Sequence, residues 1–526
     1  MYLTAGLHRS LQKHPDKTAT VTGDRRQTFR QLADRVAHTA GALQALGLQP
    51  GERLSILSQN SDRMMELLLA GWWAGLVVNP INTRWSSAEV SYALRDCAAS
   101  ALAVDDALWP VAQSLESDLP ALRHRLYMGQ QATPEGYQSS QALVQQAPAV
   151  EDVRSASDAL AAIVYTGGTT GFPKGVMLSH ANFWASLVGR MAEIPNPPEF
   201  VTLLTSPMFH VAGLGRMLGQ TIVGGACVTV PVFQPVAVVD KMAQEKVSDL
   251  VIVPSMLQML LQNEGFNPQH LPHLQRILWG AAPITVPLLQ RAMATFPKVE
   301  FIHAYGMTET AASVSVLRLS HDPEFLHSER IRSAGQAGLS AEIRIADEQG
   351  HEVPRGTPGE IWIRGPMVMQ GYWGRPQESQ QAVQGGWLRT GDGGTMDEQG
   401  FLYVIDRIKD MVITGGENVY PAEVENVLCS HPAVQACAVI GVPHEKWGEA
   451  VHAVVVLRAG AQATAAELDA HCRSQIGGYK CPKSFEFRNQ LPLTAAGKVQ
   501  KTELRKSVAE NAENAANAAN AAKAVP

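Results

Sequence analysis

Positions 166 to 171 hold three threonines and three glycines, within the run Val164-Tyr165-Thr166-Gly167-Gly168-Thr169-Thr170-Gly171-Phe172-Pro173-Lys174-Gly175. Such a run buries no core. It bends sharply and turns backbone N–H groups and hydroxyls toward an anion such as a nucleotide phosphate. Leu160, Ile163 and Val164 precede it as a strand would, and Lys174 adds a positive charge. The spacing departs from the Walker pattern, in which Gly and Lys stand side by side ahead of Ser or Thr.

Four further stretches carry groups suited to the same chemistry. Trp279-Gly280-Ala281-Ala282-Pro283 ends a strand in small residues, where a flat ring could approach the backbone. His303-Ala304-Tyr305-Gly306-Met307-Thr308-Glu309-Thr310 offers an aromatic for stacking, a hydroxyl for a phosphate and a carboxylate for Mg²⁺. Thr390-Gly391-Asp392 sets a carboxylate on a glycine turn, fit to grip two ribose hydroxyls. Pro492 to Lys498 puts one lysine at the tip of a Pro/Gly loop near the chain's end. Each stretch alone also reads as an ordinary turn or a solvated surface; their combination carries the argument.

These loops need a scaffold that brings distant segments together. The chain has 526 residues, enough for a large core and two or more domains. A formal charge of −6 argues against broad nucleic-acid binding, while leaving room for a local basic pocket. The N-terminal stretch mixes charges with no apolar leader core, and the run Leu67 to Val78 is too short to span a bilayer. The expectation is a soluble, cytoplasmic protein. Six cysteines without CxxC spacing are expected as reduced, mostly buried thiols.

Phe29, Leu32, Val36, Ala40 and Leu43 share one helical face over 28–48, with Gly47 as the stop. Arg53–Leu57, a helix from Arg63 to Trp73 and Leu76–Val78 begin a strand–helix–strand rhythm. It recurs around Val201–Leu204, Ala226–Val230, Leu250–Val253, Arg276–Leu278 and Glu300–Ile302, which predicts an α/β fold with largely parallel sheets. From about 340, Ala341–Ile345, Gly359–Ile363 and Phe401–Ile405 read as antiparallel strands. A charged strip, Asp406 to Asp410, precedes a compact α+β pattern. The expected division is a large domain over 1–405, a hinge at 406–410, a small domain over 411–508 and a low-complexity tail over 509–526.

Together the Thr/Gly loop, the Tyr-Gly-x-Thr-Glu turn, the Thr-Gly-Asp turn, the Asp-Arg-x-Lys-Asp strip and the Gly-Lys loop resemble the adenylate-forming superfamily. That superfamily comprises acyl-CoA synthetases, peptide-synthetase adenylation domains and luciferases. The resemblance runs from about residue 5 to 508. It implies a large N-terminal domain of layered α/β sheets with a small antiparallel, barrel-like part, then a small mobile α+β C-terminal domain.

By that resemblance, Thr166, Gly167, Gly168, Thr169, Thr170, Gly171 and Lys174 cradle the ATP phosphates. Gly167 stands where the family usually has Ser, a form also found in fatty acyl-CoA synthetases. Ala281, Ala282 and Pro283 match the adenine-side turn, and Tyr305 the residue that stacks on adenine. Thr308 matches a phosphate ligand and Glu309 the Mg²⁺ carboxylate; Asp392 and Arg407 match the pair holding the ribose. Lys498 matches the mobile catalytic lysine and Lys409 the hinge. Thr166, Glu309, His210 and Lys498 are the residues expected to act on the reacting groups.

For coenzyme A, Gly415 and Gly416 resemble the small residues that line a pantetheine tunnel, and Trp447 the residue against the CoA nucleotide. Lys480 and Lys483 supply cations, with Cys481 where some relatives carry Arg. Pro207 to Gly213 resembles a carboxylate pocket, so His210, Val211, Ala212, Trp279, Ala281, Ala304 and Gly306 are expected around the acid, with Trp279 limiting depth. The pocket lacks an Asp-plus-Lys signature for an amino acid. The expectation is therefore an ATP-, Mg²⁺- and CoA-dependent ligase for a fatty or related hydrophobic acid. Aryl acids, short thioether acids and transfer to a carrier protein are the alternatives, a non-catalytic nucleotide-binding protein a remote one, and a homodimer an open expectation.

Overall fold

The computed structural model describes the chain except residues 167–172, 264, 408–409, 415–416, 445, 495–496 and 512–526, and it describes 406, 407 and 418 by backbone alone. The described residues form two large sheets, of nine and eight strands, and two smaller ones of five strands each.

Local chemistry starts the elements where the sequence places them. Thr28 closes a capping box with Gln31, launching the helix Phe29–Ala45, and Gly47 ends it at φ 83°. Leu32, Val36, Ala40 and Leu43 of that helix are buried, as their spacing requires. Ser61 caps Asp62–Trp73, whose residues Leu67 to Trp73 are buried on every side. The apolar run at 67–78 is thus an interior helix followed by the strand Val77–Pro80. Trp72 and Trp73 bury their rings and still donate from Nε1, to the Ala161 and Val150 carbonyls at 2.9 Å each. Removing such a ring from a packed core costs about 3–5 kcal/mol.

Both large sheets are parallel at their centres. In the eight-stranded sheet, Val77–Pro80, Arg53–Leu57 and Ala101–Val104 run parallel, and Leu160–Thr166 joins them beside Val77–Pro80. In the nine-stranded sheet, Val201–Leu204, Asp249–Ile252, Arg276–Gly280 and Glu300–Tyr305 follow one another in parallel register. Ala101–Val104, Ala226–Thr229 and Asp249–Ile252 are buried at every position, the mark of strands covered on both faces. The helix Val211–Val223 is buried nearly all round and shares one core with Phe29–Ala45 and Asp62–Trp73.

Past residue 340 the strands turn antiparallel. Glu342–Ala346, Gly359–Arg364, Val383–Gln384, Trp387–Met396 and Leu402–Arg407 form one small sheet. Its last strand carries the backbone through Asp406 and Arg407, so the charged strip begins inside a strand. The second small sheet joins Val412–Thr414, Glu417–Val419, Val434–His444, Gly448–Leu457 and Ser484–Phe487. Two helices, Pro421–Ser430 and Ala465–Arg473, cover it through Val424, Leu428, Leu468 and Cys472. The two long strands reach further toward each other than their apolar cores at 434–440 and 450–457, because Val442↔Ala450 to His444↔Gly448 continue the ladder. All six cysteines are free thiols, and only Cys429 is partly exposed. A helix runs over 501–511; most of the Ala/Asn-rich tail lies outside the described residues. No helix among the described residues is long and apolar enough to cross a membrane.

Candidate active site

The Thr/Gly run lies outside the described residues from 167 to 172, but its two stems are clear. Thr166 ends the strand Leu160–Thr166, Lys174 begins Lys174–Ser179, and the two residues pair directly in an antiparallel register. Lys174 Nζ stands 3.1 Å from Glu378 Oε2 and 5.2 Å from the centre of the Tyr372 ring. The short strand Gly371–Tyr372 pairs with Met177 and Val176, which fixes that ring beside the lysine. From there the Tyr372 hydroxyl donates to Glu309 Oε1 at 2.9 Å. One tyrosine thus touches both the lysine after the loop and the carboxylate of the Tyr-Gly-x-Thr-Glu turn. Neither Tyr372 nor Glu378 had any spacing signal in the sequence.

That turn is built under strain. Glu300–Tyr305 ends at Tyr305, and a side chain at Gly306 would drive into the Ala312 carbonyl, so only glycine fits. Ala311 and Ala312 hold φ values of 53° and 121°, a region that costs an alanine about 1–3 kcal/mol. Met307 N–H donates to Thr310 Oγ1 at 3.1 Å and Met369 N–H to the Glu309 carbonyl at 2.8 Å. Glu309 is buried and Thr308 half-buried. The Tyr305 hydroxyl reaches across to Asp392 Oδ2 at 2.6 Å. Asp392 follows Gly391, at φ 70°, and its register partner is Arg407. The segments around Lys174, Tyr305 to Glu309, Tyr372 and Asp392 are thus linked by these contacts.

Gly280 and Ala304 are register partners, and a side chain at Gly280 would strike the Ala304 carbonyl. Ala281 follows at φ 67° and is exposed, as is Pro283, with Ala282 half-buried between them. These positions leave a floor of backbone and methyl groups. The expectation that Trp279 limits this pocket is corrected. Strand alternation sends Trp279 to the opposite face from Leu278 and Ala304, into a core with Leu257 and Leu289. It stacks there on His303, with ring centroids 5.1 Å apart and planes 2° from parallel.

His210 stands before the helix Val211–Val223 and packs against Phe209, with centroids 4.6 Å apart. Its Nε2 is buried and has no hydrogen-bond partner among the described residues. Burial, then the charges of Lys498 and Arg84, push the imidazole down to about 4, so it is neutral near pH 7. Val211 is buried and Ala212 half-buried behind it.

Hydrogen bonds to the large domain show where the C-terminal loop has docked. Arg84 donates to the Thr494 carbonyl at 2.8 Å, and Ser255 Oγ to the Gly497 carbonyl at 3.2 Å. Gln258 donates to the Gln435 carbonyl at 2.9 Å. Within the loop, Lys498 N–H donates to Thr494 Oγ1 at 3.0 Å, and Leu493 bridges Val499. Arg84 was not legible as a site residue, because its partner lies 410 positions along the chain.

Between the strands Val434–His444 and Gly448–Leu457, Trp447 stacks on His444, with centroids 4.2 Å apart. Lys483 Nζ lies 5.8 Å from the indole, whereas Lys480 is held at 2.7 Å by Glu423. Burial works against that ammonium, yet the Glu423 carboxylate raises its pKa overall. Lys480 is thus already engaged by a carboxylate in this arrangement. Cys481 is fully buried in the core and offers no cation. Lys409, Gly415 and Gly416 lie outside the described residues, as does the Arg407 side chain.

A Thr/Gly-bearing hairpin, a Tyr/Glu/Asp cluster and a docked C-terminal loop that carries Lys498 fit a two-part, nucleotide-activating enzyme. Residues 7–373 match the AMP-binding enzyme family, and 423–498 match the AMP-binding enzyme C-terminal domain. The chain belongs to this family and is an AMP-forming acid–CoA ligase that uses ATP and coenzyme A. It is 37% identical to a feruloyl-CoA synthase of an Amycolatopsis species over 95% of this chain and 97% of that protein. Among solved structures, it resembles the anthranilate CoA ligase AuaEII in complex with anthranoyl-AMP, with a TM-score of 0.90, 29% identity and 98% of each chain covered. It also resembles o-succinylbenzoate CoA synthetase from Bacillus subtilis in complex with its acyl-adenylate, with a TM-score of 0.82, 32% identity, and 95% and 97% covered.

Proposed function

We propose that this ligase activates an aromatic carboxylic acid, of the cinnamate or benzoate type, in place of the fatty acid first expected. The observation that carries this is the row of small residues Gly280, Ala281, Ala304 and Gly306, where backbone carbonyls fill the space a side chain would take at either glycine, so no side chain from them intrudes on the slot expected for the acid's ring. Trp279 is turned out of that slot, so nothing from that position shortens it. The feruloyl, anthranilate and o-succinylbenzoate specificities of the relatives support the same reading.

In the first half-reaction the carboxylate oxygen attacks the α-phosphorus of ATP, a new P–O bond forms and pyrophosphate leaves. Negative charge grows on the phosphate oxygens, and preorganised cations stabilise it. Lys498 and Lys174 supply that charge, and the Thr166 and Thr308 hydroxyls donate to the phosphates. Tyr305 stacks on the adenine while Asp392 and Arg407 hold the ribose. His210, neutral and with Nε2 unpartnered, orients the acid as a hydrogen-bond donor in its Nε2–H tautomer.

A Mg²⁺ ion suits the donor set. Glu309 is a buried hard-oxygen ligand, and no cluster of three or more His, Cys, Asp or Glu residues occurs among the described residues. Glu309 would hold such a cation by one carboxylate, a donor set that suits Mg²⁺ at nucleotide phosphates. It would supply charge neutralisation at the triphosphate. Tyr372 holds the carboxylate in place.

In the second half-reaction the CoA thiol attacks the acyl carbonyl, a C–S bond forms, and AMP leaves with the C–O electron pair. Lys498 withdraws for this step as the C-terminal domain turns about Lys409, bringing Gly415, Gly416, Trp447 and Lys483 to the thiol's path. CoA-dependent AMP release across a panel of acids tests the proposal. Hydroxycinnamates or benzoates are expected to give kcat/KM values well above those of medium- and long-chain fatty acids. The reverse order would overturn it.

A further inference from the structure

Two thiols that the ligase chemistry does not use touch beside the C-terminal sheet. Cys429 lies one residue before the end of the helix Pro421–Ser430, and Cys437 lies in the strand Val434–His444. Their sulfurs are 3.5 Å apart, within reach of an S–H···S hydrogen bond. Cys429 is partly exposed, whereas Cys437 is buried. A reagent from solvent therefore reaches the first sulfur, and the first sulfur alone reaches the second.

The scaffold holds this pair in register. Glu425 stands one helical turn before Cys429, so the two share a face of the helix. Val439 stands two residues after Cys437, so the two share a face of the strand and one core, while Ala438 and Ile440 belong to another. Val439 N–H donates to Glu425 Oε1 at 2.8 Å, and the Cys437 thiol lies 3.5 Å from the Glu425 carbonyl. Lys501 anchors the same carboxylate at 2.9 Å. Helix and strand thus meet at two successive rungs, Glu425 against Val439 and Cys429 against Cys437.

A buried cysteine ordinarily packs as a small hydrophobe. Cys97 is one, with its thiol turned to Asn79 and the Leu94 carbonyl. A buried sulfur held against a partly exposed one does more, because it can displace any thiol that the exposed sulfur takes up. Contact with Cys429, then burial, pushes the Cys437 thiol up, so Cys437 keeps its proton while Cys429 meets the reagent.

We propose that Cys429 and Cys437 form a redox modification site, at which a low-molecular-weight disulfide converts the two thiols into an intramolecular disulfide. The Cys429 thiolate attacks one sulfur of the small disulfide; that S–S bond breaks, and the leaving thiolate takes up the proton that Cys429 released. Cys437 then attacks Cys429 Sγ. The protein S–S bond forms, the mixed disulfide breaks, and the second small thiol leaves with the proton from Cys437. The two protein thiols lose two electrons and two protons, and the small disulfide gains them. No residue assigned to ATP, the acid or coenzyme A takes part, so failure here leaves the reading of the active site untouched.

Intact mass spectrometry of the full native chain after incubation with glutathione disulfide tests this. The wild type should lose the mass of two hydrogens, retain no glutathione and regain its mass with dithiothreitol. Trypsin cuts after Lys409 and Lys446, and the peptide between them holds Cys429 and Cys437 with no third cysteine, so the loss should fall in that peptide. Cys437→Ser should instead keep one glutathione on Cys429, and Cys429→Ser should leave this peptide unmodified. A wild-type chain that stays unmodified, keeps glutathione or loses its hydrogens from another peptide would overturn the proposal. If either variant fails to fold, the wild-type mass and peptide decide alone.

Discussion

Substituting Gly497 by alanine separates the docking of the C-terminal loop from its folding. Gly497 holds φ 74°, and its left-handed strain would burden the loop equally in any arrangement of the domains, so it cancels between them. The docked arrangement alone adds a collision. The new methyl would lie 2.6 Å from Ser255 Oγ and 2.7 Å from Val253 Cγ2. The serine hydroxyl can rotate away, but valine is stiff at χ1 and must be pushed. Overpacking of this kind costs about 1–3 kcal/mol. A middle value near ~2 kcal/mol lowers the docked population, and with it the adenylation rate, by roughly 30-fold. Acid-dependent pyrophosphate–ATP exchange reads the first half-reaction, and thioester formation from supplied acyl-AMP reads the second. Exchange should fall while the second step holds its rate. Unchanged exchange would refute the docking argument, and an equal fall in both would mean that the loop had misfolded.

Tyr372→Phe removes the hydroxyl that holds Glu309, a hydrogen bond to a charged group worth about 1.5–3 kcal/mol. The Mg²⁺ concentration for half-maximal nucleotide binding should rise by roughly tenfold, measured by calorimetry with ATP, and unchanged metal dependence would place Glu309 outside the metal site. His210 and His180 are both held at about 4 in the folded chain, chiefly by burial, against an ordinary value of 6.5. The unfolded chain therefore takes up these protons first as pH falls. Stability present above pH 6.5 should be lost between 6.5 and 4, by up to about 1.4 kcal/mol per pH unit for each group. Urea unfolding across that range should show His210→Asn with a shallower dependence than the wild type. Cys429, the one thiol partly exposed, should react with a bulky disulfide reagent in the native state, while the other five meet the reagent only on unfolding.

The parallel core was legible because its strands are mostly apolar and its helices repeat at helical spacing; Leu32, Val36, Ala40 and Leu43 are buried as that spacing requires. The Tyr305 and Asp392 motifs could be read only in combination, since each alone is an ordinary glycine turn, and the two turns do meet through the Tyr305 hydroxyl and the Asp392 carboxylate. The direction of a side chain was harder. Trp279 belongs to a motif whose neighbours face the slot, yet strand alternation alone turns it to the other side. Tyr372 and Arg84 were invisible, since each acts through a partner 63 or 410 positions away, and no local pattern encodes such a contact. Lys480 looked like a free cation in the sequence, and only the fold reveals Glu423 beside it.

The central claim is that one lysine from the C-terminal domain serves the first half-reaction and is dispensable for the second. Single-turnover kinetics of Lys498→Ala with a cinnamate-type acid test it most directly. Acyl-AMP formation from ATP should fall by about two to three orders of magnitude, the loss seen when a preorganised electrostatic group is removed. Transfer of supplied acyl-AMP to CoA should proceed at the wild-type rate. Loss of both steps together, or retention of both, would contradict the account.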